Sequence, residues 1–191
     1  PHWTTDAQDR VLHARGQNLP DWIALRSGRL EATPDAVARP RSADDVRAVM
    51  DDASARGARL IPYGGGTSVV GGVTTRPGDR PIVSVDLTGT AGLRSLDETS
   101  GLATFGAGTL GPAIEAALAP TGRTLGHYPQ SFERSSLGGW VVTRSAGQES
   151  TGYGRIEALF AGGHLETPSG PLDLPTANPS CRLRASAWNS C

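Results

Sequence analysis

Three consecutive glycines constrain this chain more than any other feature of its sequence. Residues 64–66 follow directly on an apolar segment, residues 59–63, that predicts a β-strand, and Thr67 and Ser68 come next. Glycine lets the backbone turn so tightly that successive N–H groups point the same way and bind an anionic phosphate. The run therefore predicts a phosphate-binding turn at the end of a strand, although a surface turn between two strands explains the glycines alone at least as well.

Two other glycine-rich phosphate loops are excluded by the residues around this turn. A Walker loop contains Gly-Lys followed by Ser or Thr, and the chain has no lysine. A Rossmann fingerprint would need a glycine at position 69, which is Val69, and a long helix directly after it. The glycine run therefore belongs to neither class.

Charge and cysteine usage narrow the possible partners and compartment. A formal net charge of -1 over 191 residues provides no basic field, so the sequence predicts no nucleic-acid partner. The only cysteines, Cys181 and Cys191, lie in the last stretch and provide neither a disulfide framework nor a metal-ligand cluster, which favours the cytoplasm. No apolar run approaches the ~18 residues that cross a bilayer, and the first residues given do not show the basic-then-apolar pattern of a signal peptide. The first residue is not Met, which indicates a start inside a longer polypeptide.

The order of predicted elements indicates an α+β chain in four parts. Residues 1–33 form a helical lead-in, and residues 34–90 form a first α/β subdomain that contains the glycine run. Residues 91–176 form a second α/β subdomain. Residues 177–191 have neither a strand pattern nor a helix pattern.

The first subdomain begins as a strand–helix–strand unit. An apolar piece at 36–38 precedes Ser42, which is placed as a helix N-cap with Asp45 at the capping-box position, and Gly57 ends the helix. One face of this helix carries the apolar residues Val46, Val49, Met50 and Ala53. A strand at 82–87 follows the glycine run.

The second subdomain repeats the mixture of helix and strand. It contains a predicted strand at 102–105, a helix at 112–118 and a short strand near 124–125. A hairpin-like pattern closes the body, with apolar residues 159–161 separated from residues 172–174 by glycines and a turn.

A second segment rich in glycine and hydroxyl groups lies at 126–140, and here a resemblance becomes specific. The matching stretches, in order, are 62–68 (PYGGGTS), 130–133 (QSFE), 137–140 (LGGW) and 143–147 (TRSAG). Together they resemble the flavin-contacting segments of the vanillyl-alcohol-oxidase superfamily, whose members carry a PCMH-type FAD-binding domain. Within it they are most similar to the alkyldihydroxyacetonephosphate synthase branch and its bacterial FAD-linked oxidase relatives. The similarity runs from about residue 36 to residue 174.

The resemblance implies that FAD lies extended between the two α/β subdomains. It implies that the first stretch holds the pyrophosphate, through Pro62, Tyr63, Gly64, Gly65, Gly66, Thr67 and Ser68. It implies contacts to the flavin and its neighbouring chain from Gln130, Ser131, Phe132, Glu133, Arg134, Ser135, Ser136, Gly138, Gly139, Thr143, Arg144, Ser145 and Ala146. The synthases have Asp where this chain has Gln130, which loses a charge but keeps hydrogen-bonding capacity.

Five residues in or near these stretches have a structural interpretation, which for some stands beside a functional one. His127 could tune the flavin, but a lone His before Tyr-Pro is more often a structural hydrogen-bonding residue. Arg144 either neutralises pyrophosphate charge or is a solvated strand residue, and the motif around it favours the first. Trp140 is expected in the core, and Glu133 and Arg134 can be a local surface pair.

The resemblance also predicts the function class and what is missing. Family members continue with another flavin-contacting segment and a cap domain holding the catalytic tyrosine and histidines, so no catalytic residue is assigned here. The second subdomain is then incomplete, the tail from about residue 180 is a candidate frameshift product, and the chain alone is expected to be inactive. The expected activity is that of an FAD-dependent oxidoreductase or alkylglycerone-phosphate synthase acting on a small glycerol-like or alkyl-ether substrate, with a possible homodimer in the full-length form. The alternatives are a 2-hydroxy-acid dehydrogenase of the glycolate or D-lactate type and an inert FAD-binding fragment.

Overall fold

The computed structural model describes residues 1–175 and 184–185. The chain divides into two compact units, Pro1–Thr90 and Ala91–Cys191. Each unit combines helices with short sheets, so the α+β class predicted from the sequence is confirmed. Among the described residues, no helix has the length and apolar character that would let it cross a membrane.

The first unit is built on a four-stranded sheet. Its strands are β1 (His2–Thr4), β2 (Ala36–Arg39), β3 (Arg59–Tyr63) and β4 (Ile82–Asp86), in the order β1-β2-β4-β3. Strands β2 and β3 both pair parallel with β4, whereas β1 pairs antiparallel with β2. Because parallel strands end at the same edge of a sheet, the glycine run after β3 emerges beside the ends of β2 and β4.

The central strand β4 and one helix form the core of the first unit. All five residues of β4 are buried, as expected for an apolar strand with a parallel neighbour on each side. The helices of this unit are α1 (Ala7–Leu12), α2 (Leu19–Ser27) and α3 (Ala43–Ala55). Val49 of α3 packs with Ala38, Val83 and Val85 of the sheet. Burying a valine side chain contributes roughly 1.5–3 kcal/mol to stability.

Helix α3 begins as the sequence predicted. The hydroxyl of Ser42 accepts a hydrogen bond from the amide of Asp45 at 3.1 Å. The carboxylate of Asp45 accepts from the amide of Arg41 at 2.8 Å, one residue before the amide that a capping box uses. Gly57 follows the helix with φ +64°, the left-handed conformation that suits glycine at a helix end.

The second unit has more and shorter elements than the first. They are β5 (Leu93–Asp97), β6 (Leu102–Phe105), α4 (Gly111–Leu118), β7 (Arg123–Thr124), α5 (Leu137–Thr143), α6 (Ser150–Tyr153), α7 (Ile156–Leu159), β8 (Gly163–Thr167), β9 (Gly170–Leu174) and β10 (Arg184–Ala185). Its core contains Ile114 and Leu118 of α4, Trp140 of α5 and Ile156 of α7. The prediction that Trp140 is a core aromatic residue is confirmed.

Several sequence-based assignments in the second unit were wrong. Arg144 is not a strand residue, because residues 137–143 form helix α5 and Arg144 ends it with φ +52°. Leu159 ends helix α7 and residues 160–161 follow it, so this apolar piece does not start the hairpin, whose first strand begins at Gly163. In both places a short apolar run fits a strand and a buried helical turn equally, and packing against neighbours decides.

The tail also departs from the prediction. Within residues 177–191, Arg184–Ala185 pair antiparallel with β7, where the sequence showed no strand pattern. The other tail residues, including Cys181 and Cys191, lie outside the described residues, as does the proposed frameshift.

Candidate cofactor site

The glycine run turns away from β3 with a geometry that demands glycine at one position. Gly66 is buried and has φ +69°, a conformation that L-residues with a side chain rarely adopt. A Cβ atom at Gly66 would also clash with the hydroxyl of Tyr63. The turn therefore folds back over the last side chain of its own strand.

The backbone amides of this turn are the groups best suited to an anion. Within residues 1–175 and 184–185, no acceptor takes a hydrogen bond from the amides of Gly65, Gly66 or Thr67. A residue of ordinary φ followed by one in the left-handed region directs successive N–H groups to one side. The residues present therefore fit a pyrophosphate, which needs several donors and little bulk.

Residues from the N-terminal lead-in contact the glycine turn directly. The amide of Gln17 donates to the carbonyl of Ser68 at 2.7 Å, and the hydroxyl of Tyr63 donates to the carbonyl of Leu12 at 3.0 Å. Just beyond the turn, the amide of Thr75 donates to the carbonyl of Ala14 at 2.8 Å. The lead-in is thus part of the structure around the turn.

A partly buried charge network lies against Tyr63, the residue that precedes the turn. His13 is only 5% exposed, and its ring lies against that of Tyr63, with 4.4 Å between centroids. Its Nδ1 lies 2.7 Å from the carbonyl of Asp9, and its Nε2 lies 3.2 Å from the carboxylate of Asp86. Arg39 joins both acids, with a two-pronged contact to Asp9 and its Nε 3.4 Å from Asp86.

These contacts shift two pKa values in opposite directions. Burial alone would lower the pKa of His13, but the hydrogen bonds to Asp86 and to the Asp9 carbonyl raise it overall. Burial would raise the pKa of Asp86, but hydrogen bonds from His13 and Thr88 lower it overall. The imidazolium form of His13 is favoured because both ring nitrogens face acceptors.

In the second unit, residues 129–135 form a compact turn that leads into α5. The amides of Phe132 and Arg134 donate to the carbonyls of Pro129 and Ser131, both at 2.9 Å. The hydroxyl of Ser135 donates to the carbonyl of Ser131 at 2.9 Å and accepts from Nε1 of Trp140 at 2.6 Å. Ser135 is therefore occupied in holding the core tryptophan.

The start of helix α5 has its amides satisfied within the unit. The amides of Leu137 and Gly138 donate to the carbonyls of Thr109 and Ala107, and that of Gly139 donates to the hydroxyl of Ser136. A Cβ at Gly138 would lie 2.9 Å from the Cβ of Ala107, so glycine is needed there for packing. The helix start is therefore not an open anion site.

His127 is held inside the second unit beside Trp140. It is 1% exposed, its Nε2 lies 2.7 Å from the hydroxyl of Ser145, and its ring meets that of Trp140 edge-on at 5.0 Å. Its Nδ1 has no hydrogen-bond partner in the described part of the chain. Burial lowers the pKa of His127, with the carboxylate of Glu157 opposing that shift. The structural interpretation made from the sequence agrees with these contacts.

The remaining predicted site residues of the second unit are largely at the surface. Gln130, Glu133, Thr143 and Ala146 are exposed, while Ser131 and Phe132 are half-buried. Arg144 is also exposed, and its guanidinium contacts the carboxylate of Glu157 at 3.2 Å. No ion pair joins Glu133 and Arg134 among the described contacts. The predicted stretches at 130–133, 137–140 and 143–147 thus meet around α5. The stretch at 62–68 belongs to the first unit.

Comparison with known proteins decides the family. The sequence family described as FAD binding domain matches residues 34–172, which include all the predicted cofactor stretches. The chain belongs to this family. Its cofactor is therefore FAD, and the glycine run and the α5 region are elements of a PCMH-type FAD-binding domain.

Among the relatives of this FAD-binding domain are alkyldihydroxyacetonephosphate synthases, and also a glycolate oxidase subunit of Bacillus subtilis that is 23% identical and covers 88% of the chain. The chain is 35% identical over 184 residues to alkyldihydroxyacetonephosphate synthase of Trypanosoma brucei brucei, covering 95% of the chain and 30% of the relative. It is 35% identical over 169 residues to the synthase of Dictyostelium discoideum, covering 88% and 28%. A solved alkyldihydroxyacetonephosphate synthase structure matches with a TM-score of 0.88 and 34% identity, over 92% of the chain and 32% of that structure. The chain thus spans about a third of the length of these relatives.

Sequence reasoning missed the residues that support the glycine turn from the N-terminal side. His13 and Asp21 lie in the lead-in and are 5% and 1% exposed, and Asp86 ends the buried strand β4. A charged residue that closes an otherwise apolar strand was a usable signal for Asp86. For His13 and Asp21 no local pattern marked burial, because their partners are distant in sequence.

Proposed function

We propose that the protein is the FAD-binding portion of a flavoenzyme with alkylglycerone-phosphate synthase-like activity. The substrate would be a phosphorylated or hydroxylated glycerol-like or alkyl-ether molecule. The full-length enzyme would work in the cytoplasm as a homodimer, without a nucleic-acid partner. The support comes from the agreement of two synthase relatives and a synthase structure with the same stretch of chain.

The observation that carries the site assignment is the set of open amides in the glycine turn. Gly65, Gly66 and Thr67 would donate to the pyrophosphate of FAD, and the hydroxyls of Thr67 and Ser68 would add two further donors. Ser68 is well placed for this, since its hydroxyl already accepts from the amide of Gly72 at 3.0 Å and keeps its proton free to donate. Binding through backbone donors needs no lysine, which the chain lacks.

In the second unit, we propose that the exposed and half-buried residues within 130–139 and 143–146 contact the remainder of FAD. Gln130 and Ser131 offer hydrogen-bonding groups, and Arg144 offers a fixed positive charge. Ser135, Gly138 and Gly139 would act through packing, because their polar groups are already used within the unit. FAD, when bound, supplies an electron-accepting ring that reacts with substrate.

The experiment is to compare flavin content in two variants that carry the same added charge. Gly65→Asp puts a carboxylate among the amides that face the pyrophosphate. Gly152→Asp puts it at an exposed helix position where a Cβ meets nothing within 4 Å. The proposal expects flavin absorbance to be lost only in Gly65→Asp. Full flavin content in Gly65→Asp would remove the pyrophosphate from this turn.

A further inference from the structure

The residues just before the family match form a brace on the FAD-binding turn. The family match begins at residue 34, yet residues 12–21, which we call the N-terminal brace, reach the turn and its continuation through three hydrogen bonds. These are Tyr63 hydroxyl to Leu12 carbonyl at 3.0 Å, Gln17 amide to Ser68 carbonyl at 2.7 Å and Thr75 amide to Ala14 carbonyl at 2.8 Å. They tie the beginning, the end and the continuation of the turn.

The brace packs on the turn without spare room. Gly16 is buried, and a Cβ atom there would clash with the carbonyl oxygen of Ser68. That carbonyl is backbone, so it can move only if the turn itself moves. The fit between Gly16 and Ser68 therefore fixes where the last residue of the turn lies.

The buried carboxylate of Asp21 stabilises the brace. Asp21 is 1% exposed and accepts a hydrogen bond from the amide of Gly16 at 3.2 Å. The hydroxyl of Thr74 approaches the same carboxylate at 3.4 Å, and Nη1 of Arg15 lies 3.6 Å from it. One buried carboxylate thus joins the brace to the segment that follows the turn.

A turn rich in glycine has high conformational freedom, which lowers the fraction of molecules ready to bind. The apparent affinity for a ligand falls in proportion to the fraction of the protein in the binding-competent conformation. Contacts that hold such a turn in one conformation remove this penalty in advance. The brace provides contacts of this kind.

We propose that the N-terminal brace positions the glycine turn for the FAD pyrophosphate and thereby sets the affinity for FAD. The proposal rests on the proposed function, because it assumes that the turn binds FAD. Gly16, Asp21 and the Gln17 amide are positioning groups that act through Ser68 and Thr74. No contact between the brace and FAD is needed.

The test measures the dissociation constant of FAD by titrating flavin-free protein. Gly16→Ala displaces Ser68 and should weaken FAD binding about tenfold or more, the loss expected if about one molecule in ten stays competent. Asp21→Asn, which keeps the volume but loses the charge, should weaken it in the same direction. Ile23→Ala is the matched control, because it shortens a side chain of helix α2 that is 59% exposed and lies outside the brace.

A second control separates positioning from general loss of stability. Val49→Ala makes a cavity in the core of the same unit, far in sequence from the turn. Unfolding in urea compares its loss of stability with that of Gly16→Ala. The proposal expects Val49→Ala to bind FAD as the original protein does. If Gly16→Ala and Asp21→Asn bind FAD normally, or if Val49→Ala weakens binding equally, the brace does not position the turn. If Gly65→Asp also keeps its flavin, the pyrophosphate does not bind at the glycine turn, and the site assignment on which this proposal rests is wrong.

Discussion

Nε2 of His13 lies 3.2 Å from Oδ2 of Asp86, a pair separated by 73 residues in the sequence. The contact joins the end of α1 to the end of the central strand β4, and neither side chain has much access to water. Arg39 of the neighbouring strand and the ring of Tyr63 complete the surroundings of the imidazole. The end of strand β4 is therefore tied to the lead-in by a titratable contact.

The first prediction concerns stability against pH. The pKa of His13 is raised in the folded protein. Its contribution to stability is therefore complete below about pH 6.5, the ordinary histidine value, and is lost as pH rises through the folded pKa. The pKa of Asp86 is lowered, so its contribution is lost as pH falls below the ordinary aspartate value. Urea unfolding between pH 5 and 9 should show stability falling on the alkaline side.

The variant His13→Asn should flatten that alkaline fall. His2→Asn changes an exposed histidine of the same unit and serves as the control. An unchanged alkaline slope in His13→Asn would show that the fall has another origin.

The second prediction is an opposite pH effect in the other unit. Burial lowers the pKa of His127, so the folded protein keeps it neutral while the unfolded chain takes up a proton below about pH 6.5. The contribution of neutral His127 to stability is therefore present above about pH 6.5 and is lost as the pH falls below it. His127→Gln should therefore reduce the loss of stability between pH 6.5 and 5, measured by urea unfolding. A steeper acid loss in the variant would contradict the assignment of His127 as a buried neutral side chain.

The third prediction tests the Trp140–Ser135 hydrogen bond. Trp140→Phe keeps an aromatic ring in the core but removes the Nε1 donor, which leaves Ser135 without that partner. The expected loss in unfolding free energy is about 0.5–1.5 kcal/mol for that hydrogen bond, because Ser135 keeps its bond to the carbonyl of Ser131. The smaller ring in the core adds to this loss. Val142→Ala, two residues along the same helix and 75% exposed, should change stability by less than about 0.5 kcal/mol. Equal losses in both variants would contradict the packing described.

The fourth prediction uses the left-handed backbone of Arg144. Arg144→Gly and Arg144→Ala both remove the guanidinium, but only alanine keeps a Cβ at φ +52°. Because that conformation costs roughly 1–2 kcal/mol for a residue with a side chain, Arg144→Gly should be the more stable of the two in urea unfolding. Both should bind FAD more weakly if the guanidinium contacts it. A more stable alanine variant would refute the backbone argument.

The sequence predicted the elements whose signals are local. Ser42 caps its helix, and the apolar run at 82–86 forms a strand buried along its length, because capping residues and apolar runs act on their own neighbourhood. Helix α5 was not predicted, because its two glycines weaken the helical pattern. The structure supplies the missing reason, which is the close approach of Gly138 to Ala107.

The site could be predicted in part for the same physical reason. The glycine turn was visible because glycine is strongly favoured where the backbone turns tightly or adopts positive φ, as at Gly66. The brace was not visible, because the contact between Gln17 and Ser68 joins two backbone groups and leaves no mark on the side chains. Which backbone groups meet in this way depends on the folded structure and cannot be read from the residue types.

The most direct test of the central claim is to follow the backbone amides while FAD is added to flavin-free, 15N-labelled protein. If the glycine turn binds the pyrophosphate, the amide signals of Gly65, Gly66 and Thr67 should shift the most in the first unit. The signal of Val49, whose helix lies in the core of that unit, should stay in place. Saturation with FAD without any shift at Gly65, Gly66 and Thr67 would contradict the account.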